Sequence, residues 1–200
     1  MTSIVDLCAY VQGTSGRLLV MVDLQDRTYQ ELAGDPACDI ARALDNCMSA
    51  IRHARSSGMP IAFTRHNAET GLNDSTDASK HSAWIAGFEP KRSDMVFERQ
   101  QPSCYTNRLF EDIVSQTGSF AIAGLVAEEA CLATVIDAAH RGHHVTFLSD
   151  ASVSRGRLGA DARAAHVATT KMMELFADVR ATRHWLIATS QRTSKGHRYG

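Results

Sequence analysis

The sequence predicts an α/β fold, three α/β/α layers built on a central and mostly parallel sheet. Two observations lead there: short apolar runs of strand length alternate with longer segments of helical period, and the helical segments carry clear start and stop residues. A third bounds the size. The 200 residues are 44% hydrophobic and 22% charged, with no repeat, low-complexity block or linker, so one domain spanning 1–190 is expected, followed by a mobile tail over 191–200.

The strand candidates are Leu18 to Val22, Ile61 to Phe63, Met95 to Phe97, Phe120 to Ala123 and Val145 to Leu148, with a last short strand near Val179. The first helix is predicted with Asp35 as N-cap, Pro36 at its first position and Gly58 as its stop. Its apolar face is Ile40, Leu44, Cys47, Met48 and Ile51, which makes Cys47 a small core residue. A second helix, capped by Thr106, runs from about Asn107 to Gly118 with Leu109, Phe110, Ile113 and Val114 inward. A third covers Glu129 to Arg141 before Gly142, and a fourth Ala160 to Ala177, with Val167, Met172, Leu175 and Phe176 as candidate core. A helix near Trp185 completes the fold.

Composition excludes several functions. Lys plus Arg is 21 against 22 Asp plus Glu, so there is no broad field for a nucleic-acid backbone. Leu18 to Val22 is far short of the roughly 18 apolar residues a membrane helix needs, and no basic-then-apolar leader precedes it; a cytoplasmic protein without membrane partners is expected. Five cysteines, Cys8, Cys38, Cys47, Cys104 and Cys131, form no C-x-x-C pair, so a cysteine that matters would matter as a thiol. His140, His143 and His144 surround a helix stop, where the helix dipole favours them, and His66 lacks an Asp at ligand spacing; no metal and no cofactor are expected.

Ligands of parallel sheets bind beyond the carboxyl ends of the strands. Three such places carry candidate chemistry. Asp23 closes the strongest apolar run; Arg99 follows the third strand as a fixed cation suited to a carboxylate or a developing negative charge; and Gly124 to Leu132 turns a strand into a helix start, where backbone amides favour anions and Cys131 stands. Glu128 and Glu129 oppose a thiolate there.

In this order the motifs resemble the isochorismatase-like hydrolase superfamily, over about Leu18 to Ala188. Val22-Asp23-Leu24-Gln25 is similar to the family's Asp-x-Gln, Asp94 through Tyr105 to the segment that carries its lysine, Gly124 through Gly142 to its nucleophile segment, and Ser149-Asp150-Ala151-Ser152 to its acidic turn. The resemblance implies Rossmann-like topology, a small-molecule substrate and a homo-oligomer, dimer or tetramer. Two departures stand out. The lysine position falls on Arg99, and the spacings from Gly124 and Gly142 both put the nucleophile position on Ala130, with Cys131 one residue later, about 100° around a helix.

Three readings follow from the resemblance. Without a thiol, Asp23 protonates an enol ether and water completes a C–O hydrolysis, with Arg99 on a substrate carboxylate and Ala130 lining the site. With Cys131 as nucleophile, Asp23 is its base and a small amide is cleaved. A non-catalytic binding or assembly module is the third. Trp84 and Tyr105 are candidate aromatic walls for a flat substrate.

Overall fold

The computed structural model describes residues 17–67, 83–157 and 159–195. Strand β1 (Leu19–Val22) is wholly buried and pairs on one side with β2 (Ile61–His66) and on the other with β4 (Ser119–Gly124). With β3 (Met95–Arg99), β5 (His144–Ser152) and β6 (Asp178–Arg180) they form a six-stranded sheet in the order β3-β2-β1-β4-β5-β6, every pair parallel. The order reverses at β1, where a crevice opens beyond the strand ends.

The alternation of side chains along β1 divides the core. Leu19 and Met21 face one cluster with Cys47, Ile51 and Ala54 of α2 (Ile40–Ser56), Leu32 of α1 (Asp26–Ala33) and Trp185 of α6 (Thr182–Lys195). Val20 and Val22 face the other, with Phe110 and Val114 of α3 (Arg108–Thr117), Val135 and Ala138 of α4 (Leu132–His140) and Met173 of α5 (Ala162–Met173). Burial of each large aliphatic side chain contributes about 1.5–3 kcal/mol, so a strand buried on both faces anchors both layers.

Several helix boundaries differ from the sequence expectations. Asp35 and Pro36 do not open α2: Asp35 Oδ1 accepts from the Ala37 amide at 2.9 Å, closing a local turn, and the helix starts after Asp39. Asn107, not Thr106, caps α3, accepting from Leu109 N at 3.1 Å and Phe110 N at 3.4 Å, and Leu109 itself is exposed. Helix α5 turns Ala162, Thr169 and Met173 inward, while Val167, Met172, Leu175 and Phe176 are exposed. Helix α1 was not anticipated, because it buries only Leu32 and shows no apolar stripe. Helix α6 continues to Lys195, into the segment expected as a tail, and 196–200 lie outside the described residues.

Asp150, in the acidic turn, accepts from Thr182 N at 2.7 Å and Thr182 Oγ1 at 2.6 Å, and so anchors the start of α6. No helix among the described residues is long and apolar enough to cross a membrane.

Gly124 ends β4 with φ at 141°, and a Cβ there would stand 2.0 Å from the carbonyl oxygen of Val22. Backbone against backbone leaves no room to yield. Gly124→Ala is therefore expected to lower stability by at least about 3 kcal/mol, read as a fall in the urea midpoint; an unchanged midpoint would show that β1 and β4 can part at this level.

Candidate active site

Asp23 is the first residue past β1. Its amide donates to Thr64 O at 3.0 Å, and its φ of 52° lies in the left-handed region that Asp tolerates better than most residues. The bend turns the carboxylate into the crevice. There Oδ2 pairs with Arg99 Nη2, and Oδ1 accepts from the backbone amide of His66 at 3.1 Å.

Gln25 holds the same end of β2. Its Oε1 accepts from His66 N at 3.0 Å and its Nε2 donates to His66 O at 3.3 Å. The Asp-x-Gln pair thus has a local reason: one side chain presents an acid and the other fixes the strand end beside it. Arg99 ends β3 with Nη1 donating to Gln101 O at 3.0 Å, while Nε is buried without a hydrogen-bond partner.

The ion pair is deeply buried, with Asp23 7% and Arg99 5% exposed. Burial raises the Asp23 pKa above the usual carboxylate value, and the opposing pull of Arg99, with smaller help from His66, does not cancel it. Arginine and burial thus act on this carboxyl in opposite directions, and burial is the larger influence.

A cleft of about 280 Å³ opens onto this pair, lined by Asp23, Gln25, His66, Arg99, Val126 and Ala130, with Arg27, Glu31 and Arg155 toward one side. Its floor near Ala130 is a π-helical turn, Ala127–Cys131, which leads into α4. Val126, with φ at 55°, precedes it; the Ala127 amide donates to Val153 O at 2.8 Å and holds the turn against the chain that leaves β5. Left-handed backbone is costly for a β-branched residue, and a π turn is an uncommon way to begin a helix. Both irregularities fall at the cleft, where such strain tends to be kept.

Of the sequence candidates, Asp23, Arg99 and Ala130 line this cleft; Cys131, Trp84 and Tyr105 do not. Cys131 is 0% exposed, packed in the core on the α3–α4 side, and burial pushes its thiol well up. Tyr105 is buried against Phe110, ring centroids 5.3 Å apart, and its hydroxyl shares a hydrogen bond with His143 Nδ1 at 2.7 Å. Trp84 packs edge-on against Phe63 at 5.7 Å, with the Arg65 guanidinium 5.6 Å from its ring. Both aromatic rings are engaged in packing away from the cleft.

His66, Glu31 and Arg155 line the cleft but carry no motif. His66 sits at the end of β2, one of the places a parallel sheet marks for ligands; its Nε2 donates to Gln100 O at 3.2 Å. Glu31 belongs to the helix without an apolar stripe, and Arg155 lies past β5, so no local pattern announces either. A larger hollow of about 780 Å³ between Cys38, Asp150 and His166 lies off this reversal point, and its Asp39, Asp150 and Asp161 are engaged by Arg42, Thr182 and the Ala164 amide. Among the described residues no group of three His, Cys, Asp or Glu is placed to hold a metal ion.

An isochorismatase-domain family model matches residues 17–184. No curated relative matches the sequence. Among solved structures, an isochorismatase of Pseudomonas putida KT2440 is similar at 23% identity and TM-score 0.73, covering 85% of this chain and 90% of that one. A cysteine hydrolase of Pseudomonas syringae pv. phaseolicola is similar at 17% identity and TM-score 0.70, over 90% and 93% of the two chains. N-carbamoylsarcosine amidase of Thermoplasma acidophilum is similar at 18% and 0.63, over 83% and 96%. At these identities the structural likeness establishes the fold.

Arg99 is the main influence holding the Asp23 pKa down, so Arg99→Gln is expected to move that titration still higher. Carbon NMR of the labelled Asp23 carboxyl reads the change; an unmoved or lowered titration would show that the arginine is not its effective counter-charge.

Proposed function

The chain belongs to the isochorismatase family of hydrolases, and on that premise we propose that it hydrolyses a C–O bond of a vinyl-ether type in a small molecule, with Asp23 as general acid and no thiol nucleophile. The observation that carries this reading is the buried Asp23, raised toward its protonated form and facing a cleft that Ala130 lines and Cys131 does not.

The chemistry proceeds from those groups. The Asp23 carboxyl gives its proton to the methylene carbon of the enol ether, leaving an oxocarbenium ion. Water adds to the cationic carbon and returns a proton to the Asp23 carboxylate. The resulting hemiketal breaks its C–O bond, the leaving oxygen takes the hydroxyl proton, and an alcohol and pyruvate separate. Arg99 steadies the carboxylate form of Asp23 between the two transfers, and its spare Nε is suited to an oxygen of the substrate. Arginine serves as a fixed charge here, because it does not give up a proton as lysine can.

A second reading, amide cleavage through Cys131, keeps one point in its favour: the thiol lies within the electrostatic reach of Asp23 and Arg99. Its burial weighs against it, since the attacking species is the thiolate. We take the site to act on small molecules and carry oligomerisation and a cytoplasmic setting as further parts of the proposal.

Turnover of isochorismate, nicotinamide and carbamoyl amides separates the readings. Asp23→Asn is expected to lower turnover of a vinyl ether by on the order of 10²–10⁴-fold, and retained activity would remove the central claim. A general acid works only while protonated, so in the wild-type protein kcat/KM is expected to be flat at low pH and to fall as pH rises through the elevated Asp23 pKa; a rate that rises with pH instead points to a base. Iodoacetamide applied to the native protein is expected to leave Cys131 unmodified at neutral pH while unfolding exposes it, by peptide mass analysis. Rapid native labelling of Cys131 would favour the amide route.

A further inference from the structure

On one side of the cleft two arginines converge on one carboxylate. Glu31 Oε1 lies 3.1 Å from Arg27 Nε, and Glu31 Oε2 lies 2.7 Å from Arg155 Nη2. All three residues line the cleft that contains Asp23. The pairing is incomplete in one respect. Arg155 donates to Glu31 through Nη2 alone, while its Nε is buried without a hydrogen-bond partner. The Nε and Nη2 hydrogens of a guanidinium point along one edge and match the two oxygens of a carboxylate. Glu31 fills half of that edge.

The backbone fixes Arg155 at this place. Its amide donates to Glu128 Oε1 at 3.0 Å, and the next arginine, Arg157, pairs with Glu129 and approaches Glu128 at 3.6 Å. Arg155 is 35% exposed along its side chain, and Glu31 is about as open to water. The Glu31 side chain is 38% exposed, and its Arg27 partner, one helical turn earlier, is 53% exposed, which makes theirs a water-screened surface pair. A carboxylate ligand that takes both Nε and Nη2 gains a contact that Glu31 does not make, and displaces a group with easy access to water.

We propose that Glu31 is an internal anion seated where the carboxylate of a small acidic substrate docks, and that Arg155, supported by Arg27, selects such substrates by exchanging Glu31 for them. The inference rests on the reading of this cleft as the catalytic site, and it deepens that reading by naming the residues that sense the charge of the substrate. Arg155 and Glu31 are specificity residues here; the proton chemistry stays with Asp23. A neutral ligand of the same shape gains nothing from the exchange.

Benzoate and benzamide, a matched anion and neutral amide, test this by calorimetric titration into the full chain. Wild-type protein is expected to bind benzoate in preference to benzamide. Glu31→Gln removes the competing charge and is expected to tighten benzoate several-fold without changing benzamide. Arg155→Met keeps the apolar stem and is expected to weaken benzoate by on the order of tenfold, again without changing benzamide. Arg155→Lys, which retains the charge but lacks the guanidinium edge, is expected to weaken it as well, and it serves if the methionine variant unfolds at a lower temperature. Equal benzoate affinity in wild-type and both Arg155 variants, weaker benzoate binding in Glu31→Gln, or no preference for benzoate in either wild-type or Glu31→Gln would overturn the proposal. Binding does not depend on turnover, so a failure of Asp23 as the acid appears only in the Asp23→Asn rates and leaves these titrations to be judged separately.

Discussion

The buried pair of Asp23 and Arg99 is the constraint around which the rest of the site is arranged. Two opposite charges withdrawn from water incur a desolvation cost that their attraction alone does not reliably offset, so such a pair needs its remaining donors and acceptors met. Here β2 supplies an amide from His66, the loop after β3 supplies the carbonyl of Gln101, and Gln25 holds the end of β2 in place. Three strand ends are therefore tied to one carboxylate. The sheet brings them together because β1, β2 and β3 are consecutive parallel neighbours in it.

The same arrangement sets two opposing influences on the Asp23 carboxyl. A cation at contact distance lowers a carboxylate pKa in water, yet burial of Asp23 acts more strongly in the other direction. Lysine at the same position would be able to exchange a proton with the carboxylate; arginine cannot, so within the pair only Asp23 can take up or release a proton.

Much of the fold was legible because buried parallel strands are written as apolar runs, and each of those runs became a strand. Asp23 and Arg99 were legible for the same reason, being the residues on which two of those runs stop. Helix α1 was hidden because Leu32 is its only fully buried residue, and Asp35-Pro36 imitated a helix start that the Ala37 turn pre-empts. Helix α5 misled through its composition, since the inward stripe is Ala162, Thr169 and Met173 while bulkier residues face out. Trp84 packs on Phe63 and Tyr105 on Phe110, and neither lines this cleft; an aromatic ring near a strand end packs as readily as it binds. Ala130 lines the cleft while Cys131 lies in the core, since one residue of helical phase is a large rotation even where the helix opens as a π turn.

The central position of β1 has a consequence for how the molecule comes into being. β1 is among the first residues synthesised after residue 17, yet its partner on one side, Ser119–Gly124, lies about half the chain away. Parallel pairing over such separations is slow, since the intervening chain must be ordered before the contacts that reward it can form. A ribosome-bound chain that ends before β4 carries an apolar strand with one edge unpaired and an acid with nothing beyond it to complete the crevice. Assembly of the cleft is accordingly a late event of folding, and the wholly apolar β1 is the segment that most needs protection from other chains until then.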